Sequence, residues 1–155
     1  MMSNQQEMKC TKIMNIMTMT DQPSTDGHTI LIVEDHDELR ETLVEWLQSV
    51  FSNCTFLVAG SGEKAIELAE THHPAIVLMD IQLPKMNGIE AIRRIKKISP
   101  QTQALILSVM NVSAYKEEAM AAGACAYVNK QHMHAELIPA ITKLLPSQTA
   151  AGEEL

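Results

Sequence analysis

The fold is decided by one stretch, Ile76-Val77-Leu78-Met79-Asp80-Ile81-Gln82-Leu83-Pro84-Lys85-Met86-Asn87-Gly88. Four apolar residues lead directly into one carboxylate, and turn-forming residues follow it. An uninterrupted apolar run of this kind predicts a strand that is buried on both faces. Asp80 would end that strand, at the edge of a parallel sheet where ligands bind. On this stretch alone, an aspartate that only caps the next loop or helix explains the pattern equally well.

Apolar runs and helical periods alternate on both sides of this stretch. The predicted strands cover residues 29–33, 54–59, 76–80, 104–109 and 124–129, and the predicted helices cover residues 37–50, 62–72, 88–98 and 113–123, with a fifth helix before Pro146. Pro139 is compatible with the fifth helix if that helix starts late, near Ala135 or Glu136, since first-turn N–H groups lack partners. Ser61 and Asn87 are predicted to cap the second and third helices. Five strands alternating with five helices predict an α/β fold with a parallel sheet covered on both faces.

The length of 155 residues fits one domain with flexible ends. We expect a flexible Met-rich N-terminal extension over residues 1–27, a folded domain over 28–146, and a flexible tail or linker start over 147–155. Six of the eleven methionines lie in the first twenty positions. Met19 is therefore an alternative translation start.

Charge and cysteine content narrow the class of protein. The formal charge of −7 argues against direct binding of nucleic acid by this chain. No apolar run reaches membrane-spanning length, and no secretory signal is evident. Three widely spaced cysteines indicate a reducing compartment, with Cys54 and Cys125 as small buried hydrophobes. We therefore predict a cytoplasmic protein that does not bind a membrane.

Chemically active side chains end four of the predicted strands. They are Glu34, Asp35, Asp80, Ser108 and Lys130. Because the carboxyl ends of parallel strands share one edge of the sheet, these groups should converge. Three neighbouring carboxylates repel one another, and a hard divalent cation such as Mg²⁺ would relieve that repulsion. The group therefore indicates phosphoryl transfer with Asp80 as the nucleophile.

Residues 29–146 resemble the receiver domain of two-component response regulators, with all five strands included. The matching positions are the metal-binding acids Glu34 and Asp35, the phosphoacceptor Asp80, the switch hydroxyl Ser108, the aromatic switch Tyr127 and the site lysine Lys130. The resemblance implies a flavodoxin-like doubly wound five-stranded parallel sheet in the order 2-1-3-4-5, with five helices.

The resemblance also implies roles for the acids. Asp35, Asp80 and the main-chain carbonyl of Gln82 would bind Mg²⁺, with Glu34 acting through water. Asp80 would take a phosphoryl group from the phosphohistidine of a sensor histidine kinase or a histidine phosphotransfer domain. The protein would thus be a signalling switch rather than an enzyme.

The remaining matched residues would convert phosphorylation into a change of shape. Lys130 and Ser108 would each bind a phosphoryl oxygen, and Tyr127 would turn into the space that Ser108 leaves. The readout face would be the fourth strand, fourth helix and fifth strand. A homodimer could form through the fourth helix, fifth strand and fifth helix.

Two positions depart from the common family pattern. Gln131 follows Lys130 where many receivers have proline, so the loop into the fifth helix is less defined, and Leu83 stands where methionine is common. The region from Ser108 to Lys130 most resembles the subgroup that is usually joined to a LuxR/NarL-type helix-turn-helix output domain.

Two side chains are expected to set the lifetime of the phosphorylated state. In this family the residues two positions after the phosphoacceptor and two after the switch hydroxyl flank the phosphoryl group, and here these are Gln82 and Met110. A thioether is a very weak acceptor and cannot hold the attacking water. We therefore expect slow self-dephosphorylation.

Three other classes of protein fit the sequence less well. An aspartyl-phosphate phosphatase or phosphotransferase would have a second aspartate where Gln82 stands. A flavin carrier would need aromatic residues, which are 3% of the chain, and a phosphate site free of acids. A receiver that only binds partners would not need the full set of acid, hydroxyl and lysine. The pairs His72-His73 and His132/His134 lack further ligands and are predicted to be solvated loop histidines.

Overall fold

The computed structural model describes residues 27–110 and 112–146. Its strands are β1 (Thr29–Val33), β2 (Thr55–Ala59), β3 (Ile76–Met79), β4 (Gln103–Ser108) and β5 (Ala124–Asn129). Its helices are α1 (Asp37–Val50), α2 (Gly62–His72), α3 (Gly88–Ile98), α4 (Ser113–Ala122) and α5 (Met133–Leu144), with a 3₁₀ turn at Lys130–His132. Residues 1–26 of the extension predicted over 1–27 lie outside the described residues, and so does the tail predicted over 147–155.

All strand pairs are parallel, and the sheet order is β2-β1-β3-β4-β5. The predicted flavodoxin-like fold is therefore confirmed, and the strand ends agree with the sequence prediction to within one residue. β2 and β5 form the two edges of the sheet, while β3 lies at its centre. The carboxyl ends of all five strands consequently face the same rim.

Side chains of the sheet alternate between two apolar cores. One core contains Leu31, Val77 and Met79 with residues of α2, α3 and α4, and the other contains Ile30 and Leu78 with residues of α1 and α5. Every residue of β3 is buried. The prediction of a strand buried on both faces is therefore correct for the stretch that leads to Asp80.

Three predicted helix ends are present. The Ser61 hydroxyl accepts a hydrogen bond from the Lys64 N–H at 3.1 Å, and the Asn87 amide oxygen accepts one from the Glu90 N–H at 3.0 Å. Gly123 follows α4 with φ +118°, a left-handed conformation that few other residues tolerate. Turn chemistry that is visible in the sequence thus fixes where these helices begin or end.

The predicted start of α5 is wrong. α5 begins at Met133 rather than near Ala135 or Glu136, so Pro139 lies in its interior. The reason is upstream: the Asn129 side chain accepts a hydrogen bond from the Gln131 N–H at 2.8 Å and starts a 3₁₀ turn that continues into the helix. Pro139 and Ala135 are exposed, so water can bind the Ala135 carbonyl that Pro139 leaves without an N–H partner.

Two further predictions need correction. Cys54 is half-buried, but Cys125 is exposed and its thiol lies 2.8 Å from the Gln103 amide oxygen, so Cys125 is not a buried hydrophobe. Two of the histidines also make specific contacts. A ring nitrogen of His73 lies 3.2 Å from the Ser99 hydroxyl, and the His134 ring lies 5.5 Å from the Trp46 ring, centroid to centroid.

Candidate functional site

Three of the predicted residues form an ion-paired group at the rim. Glu34 follows β1, Asp80 follows β3 and Lys130 follows β5. The Lys130 ammonium lies 2.7 Å from Oε1 of Glu34 and 3.2 Å from Oδ2 of Asp80. Glu34 is 2% exposed and Asp80 is 6% exposed. One lysine therefore neutralises part of the charge of two buried carboxylates.

Burial dominates the electrostatics of Asp80. Loss of hydration raises the pKa of the Asp80 carboxyl, and the neighbouring Glu34 charge raises it further. The Lys130 charge and the Gln82 N–H oppose this shift without cancelling it. Burial by itself would lower the pKa of Lys130, but the hydrogen bond with Glu34 and the charge of Asp80 more than offset it, so that pKa is raised. Lys130 is thus charged at neutral pH, and the environment of Asp80 favours a partner for its negative charge.

The loop between β3 and α3 holds Asp80 through its backbone. Oδ1 of Asp80 accepts a hydrogen bond from the Gln82 N–H at 3.2 Å. The Ile81 carbonyl accepts from the N–H groups of Leu83 at 3.1 Å and Gly88 at 2.8 Å, which folds the loop back on itself. A Cβ atom at Gly88 would lie 2.8 Å from the carbonyl carbon of Asp80. Glycine is therefore required for α3 to start this close to Asp80.

A strained turn lies at the tip of the same loop. The Met86 N–H donates to the Pro84 carbonyl at 2.7 Å, and Lys85 between them has φ +66°. This arrangement is the rarer form of γ-turn, with a left-handed central residue. A non-glycine residue at positive φ is uncommon and is retained where the surrounding contacts enforce it.

The acidic loop after β1 contains His36, a residue to which the sequence prediction gave no role. Ligand atoms of Glu34, Asp35 and His36 all lie within 4.8 Å of one another. Oε2 of Glu34 accepts a hydrogen bond from the His36 N–H at 3.1 Å, and Arg40 donates to the Glu34 carbonyl at 2.8 Å. Asp35 and His36 are exposed, so solvent reaches this side of the site. The clustered oxygen ligands fit a hard divalent cation such as Mg²⁺.

The predicted switch residues Ser108 and Tyr127 are linked through the main chain of Met110. The sequence did not predict this link. The Ser108 hydroxyl accepts a hydrogen bond from the Met110 N–H at 3.1 Å, and the Tyr127 hydroxyl donates to the Met110 carbonyl at 2.6 Å. Ser108 is fully buried. Burial raises the pKa of Tyr127, and the nearby Ser108 side chain opposes the shift only in part. Met110 thus connects Ser108 to Tyr127 through both its N–H and its carbonyl.

The helix after Ser108 is held by few contacts. Val112 occupies the N-cap position of α4 and has no side-chain oxygen to cap it. Within Ser113–Ala122 the buried residues are Ala119 and Ala122, while Met120 is 44% exposed. Small side chains bury little apolar area, so α4 gains little from packing.

Comparison with known proteins identifies the family of this chain. Residues 30–142 match the family described as response regulator receiver domain. The chemotaxis protein CheY of Thermotoga maritima is 34% identical over 121 residues, which are 76% of this chain and 98% of CheY. The chain spans about half the length of several transcriptional regulators that it matches.

Solved structures show the same fold. A LuxR-family two-component response regulator from Aurantimonas sp. SI85-9A1 superposes with a TM-score of 0.72 and 30% identity, over 83% of this chain and 95% of that one. The response regulator TrrA from Thermotoga maritima, in complex with Mg²⁺-BeF, superposes with a TM-score of 0.67 and 29% identity, over 76% of this chain and 99% of that one. LuxR-family proteins, the subgroup that the sequence indicated, are among the neighbours. No helix among the described residues is long and apolar enough to span a bilayer. The chain belongs to the response regulator receiver domain family.

Proposed function

We propose that this receiver domain accepts a phosphoryl group on Asp80 from the phosphohistidine of a sensor histidine kinase or a histidine phosphotransfer domain, in a Mg²⁺-dependent reaction. The observation that carries the proposal is a buried aspartate at the sheet rim that faces a half-buried lysine, 3.2 Å from Oδ2 to Nζ. A carboxylate in that position is a nucleophile, and its cationic partner is already placed for the incoming negative charge.

The site residues would divide the work of transfer. A carboxylate oxygen of Asp80 forms the new bond to phosphorus as the phosphorus–nitrogen bond of the donor breaks, and the donor imidazole leaves as a neutral ring after taking up a proton. The Gln82 N–H fixes Oδ1 of Asp80. Lys130 turns from Oδ2 of Asp80 to a phosphoryl oxygen while its 2.7 Å contact with Glu34 holds it at the rim.

Oxygen ligands for the ion are available beside Asp80. Asp35, Asp80 and the main-chain carbonyl of Gln82 would hold Mg²⁺, with Glu34 acting through water. The bound ion would neutralise charge on the transferred group. TrrA, a fold neighbour in complex with Mg²⁺-BeF, supports this assignment by similarity.

The Ser108–Met110–Tyr127 link gives a route from phosphorylation to the surface. When Ser108 turns to donate its hydroxyl proton to a phosphoryl oxygen, its hydrogen bond with the Met110 N–H is lost. The Tyr127 hydroxyl holds the Met110 carbonyl at 2.6 Å, so a shift of Met110 also changes the environment of Tyr127. The readout would be a population shift on the face formed by β4, α4 and β5, with a homodimer through α4, β5 and α5 as one outcome.

The direct test is incubation of the full chain with Mg²⁺ and a small acyl phosphate, followed by intact mass. We expect one added phosphoryl group on wild type and none on Asp80→Asn. Asp37→Asn is the matched control, because Asp37 is an exposed acid already paired with Arg40 at 2.7 Å. Phosphorylation of Asp80→Asn would refute the assignment. Sustained release of inorganic phosphate over many turnovers would favour a phosphatase, and no mass gain on wild type would favour a receiver that only binds partners.

A further inference from the structure

A groove runs between α5 and the edge strand β5 and has a volume of about 410 Å³. β5 lines one wall with four consecutive residues, Cys125 to Val128. α5 lines the other wall with six residues, which are Ala135, Glu136, Pro139, Ala140, Lys143 and Leu144. No residue of α4 lines the groove, and neither does Asp80 or Lys130. The groove is therefore a surface separate from the ion-paired group at the rim.

The α5 wall carries one charge towards each end. Glu136 and Lys143 are seven residues apart, which is about two helical turns or roughly 10 Å along the helix. Both side chains are exposed, and neither forms an ion pair within residues 27–110 and 112–146. Pro139, which is exposed, and Ala140, which is half-buried, lie between them. An occupant of the groove would therefore meet an acid, small apolar side chains and then a cation.

The order of the six α5 residues is self-complementary. In an antiparallel pair of α5 helices with a two-fold axis between Pro139 and Ala140, residues equally far before and after the axis face each other. Glu136 then faces the partner's Lys143, and Ala135 faces the partner's Leu144. Symmetry forms each of these contacts twice. In a parallel pair the two glutamates would meet each other, as would the two lysines, so the charges favour the antiparallel arrangement.

We infer that the groove between β5 and α5 binds a second copy of this chain, with the α5 helices antiparallel and Glu136 of each copy paired with Lys143 of the other. This inference deepens the proposed function, on whose homodimer it rests, by naming the paired residues and by leaving α4 out of the contact. Pro139 and Ala140 are small and let the helices approach closely, while the charges at the two ends fix the register. Asp80 does not take part, so pairing is expected before any phosphoryl group is added.

The test is an exchange of charges, followed by sedimentation equilibrium of the full chain at several concentrations. Low ionic strength is used, because salt screens exposed charge pairs. We expect wild type to dimerise reversibly without a phosphoryl donor. Glu136→Lys brings two lysines together at each end of the contact and should weaken dimerisation by about tenfold or more, and Lys143→Glu should do the same with two acids. The variant with both substitutions restores opposite charges and should recover most of the wild-type affinity.

An equal mixture of the two single variants tests the antiparallel arrangement directly. In the mixed dimer, opposite charges meet at both ends of the contact, whereas like charges meet in each dimer of identical copies. Native mass spectrometry, with one variant labelled with ¹⁵N, should therefore show mainly the mixed dimer. A statistical distribution of the three dimers would contradict the pairing of Glu136 with Lys143.

Glu70→Lys is the matched control, because it makes the same change in net charge on α2, which packs on the other face of the sheet from α5. It should dimerise like wild type. All variants should unfold like wild type in dilute solution, since the substituted side chains are exposed. A monomeric wild type at every concentration, or single variants that dimerise like wild type, would overturn the inference. Asp80→Asn should still dimerise, so failure of phosphorylation and failure of pairing are separate results.

Discussion

The two loop–helix units that follow the central strands differ in how firmly they are held. After β3, the loop is folded by hydrogen bonds to the Ile81 carbonyl, and α3 is capped by Asn87. α3 also buries five residues, namely Gly88, Ile89, Ala91, Ile92 and Ile95. After β4, the N-cap residue of α4 is the apolar Val112, and α4 buries two alanines. The first unit contains Asp80, and the second contains Ser108.

This difference assigns different tasks to the two units. Local opening costs least where few apolar contacts must be broken. The β3–α3 unit keeps Asp80, the proposed phosphoacceptor, fixed, which suits a group that would have to meet a donor in one geometry. The β4–α4 unit can change position at low cost, which suits the proposed role of Ser108 as a switch.

The largest expected effect on stability comes from loss of the ion pairs that Lys130 makes with Glu34 and Asp80. Lys130→Ala leaves the buried carboxylates of Glu34 and Asp80 without their cation, so we expect the free energy of unfolding to fall by about 3–5 kcal/mol at neutral pH. Urea unfolding measures this loss. Lys143→Ala removes an exposed lysine of α5 and should change stability by less than about 0.5 kcal/mol. Similar values for both variants would show that the ion pair does not stabilise the site.

A methyl group at the start of α3 should have the next largest effect. In Gly88→Ala the new Cβ would lie 2.8 Å from both the Asp80 carbonyl carbon and Cγ of Met79, so α3 must move away at a cost of about 1–3 kcal/mol. Thermal unfolding measures the change. Gly60→Ala is the control, because its Cβ would meet one atom, Nη1 of Arg40, at an ordinary contact distance of 3.4 Å. Equal stability of the two variants would mean that close packing at Gly88 is not needed.

Met110, which follows β4, allows a test of the β4–α4 unit during hydrolysis of the phosphorylated protein. Hydrolysis needs a water held in line with the phosphorus–oxygen bond, and a carboxylate can hold that water where a thioether cannot. We expect Met110→Glu to shorten the lifetime of phosphorylated protein by roughly tenfold, which corresponds to about 1.4 kcal/mol in the barrier. Gln82 would remain as the other flanking group. The decay is followed by intact mass in Mg²⁺ after removal of the donor, and an unchanged lifetime would place Met110 away from the phosphorus.

Helix caps test whether the contrast between the units can be reduced. Asn87→Ala removes a capping hydrogen bond from α3 and should cost about 1 kcal/mol. Val112→Asn adds a capping side chain at the start of α4, where the backbone is already extended (φ −108°), and should gain about 0.5 kcal/mol. Native-state hydrogen exchange should show faster exchange in α3 for the first variant and slower exchange in α4 for the second. Unchanged or slower exchange in α3 for Asn87→Ala, with unchanged or faster exchange in α4 for Val112→Asn, would contradict the proposed difference in stability between the two helices.

The smallest expected change is in the pH dependence of stability. The folded pKa of Asp80 is raised by burial, so its favourable contribution is complete below the unfolded value of about 3.9 and is lost as pH rises through the folded value. Asp80→Asn does not titrate and should therefore gain stability relative to wild type across that window and keep the gain at neutral pH. Lys130 remains charged throughout and does not contribute to the slope. The test is urea unfolding of both proteins at several pH values. A difference in the free energy of unfolding that stayed constant or fell as pH rose would contradict the prediction.

The sequence was a good guide where side-chain pattern alone decides the structure. The apolar runs before Glu34 and Asp80 and before Lys130 located the strand ends, and the structure brings those three residues together.

The sequence was a poor guide where hydrogen bonds to backbone groups decide the structure. The start of α5 depends on one hydrogen bond at Asn129, and the link from Ser108 to Tyr127 runs through the main chain of Met110. His36 stands beside the acidic pair in the sequence, but the distance between its ligand atom and those of Glu34 and Asp35 comes only from the structure.

The contact between Lys130 and Glu34 has a consequence for synthesis of the chain. The two residues are 96 positions apart, so during translation both buried acids of the rim are made long before their cation. A nascent or truncated chain that ends before residue 130 would have to bury Glu34 and Asp80 unpaired, which is costly. Completion of the fold must therefore wait for the fifth strand to leave the ribosome. The ion-paired group at the rim can therefore assemble only after the fifth strand has been made.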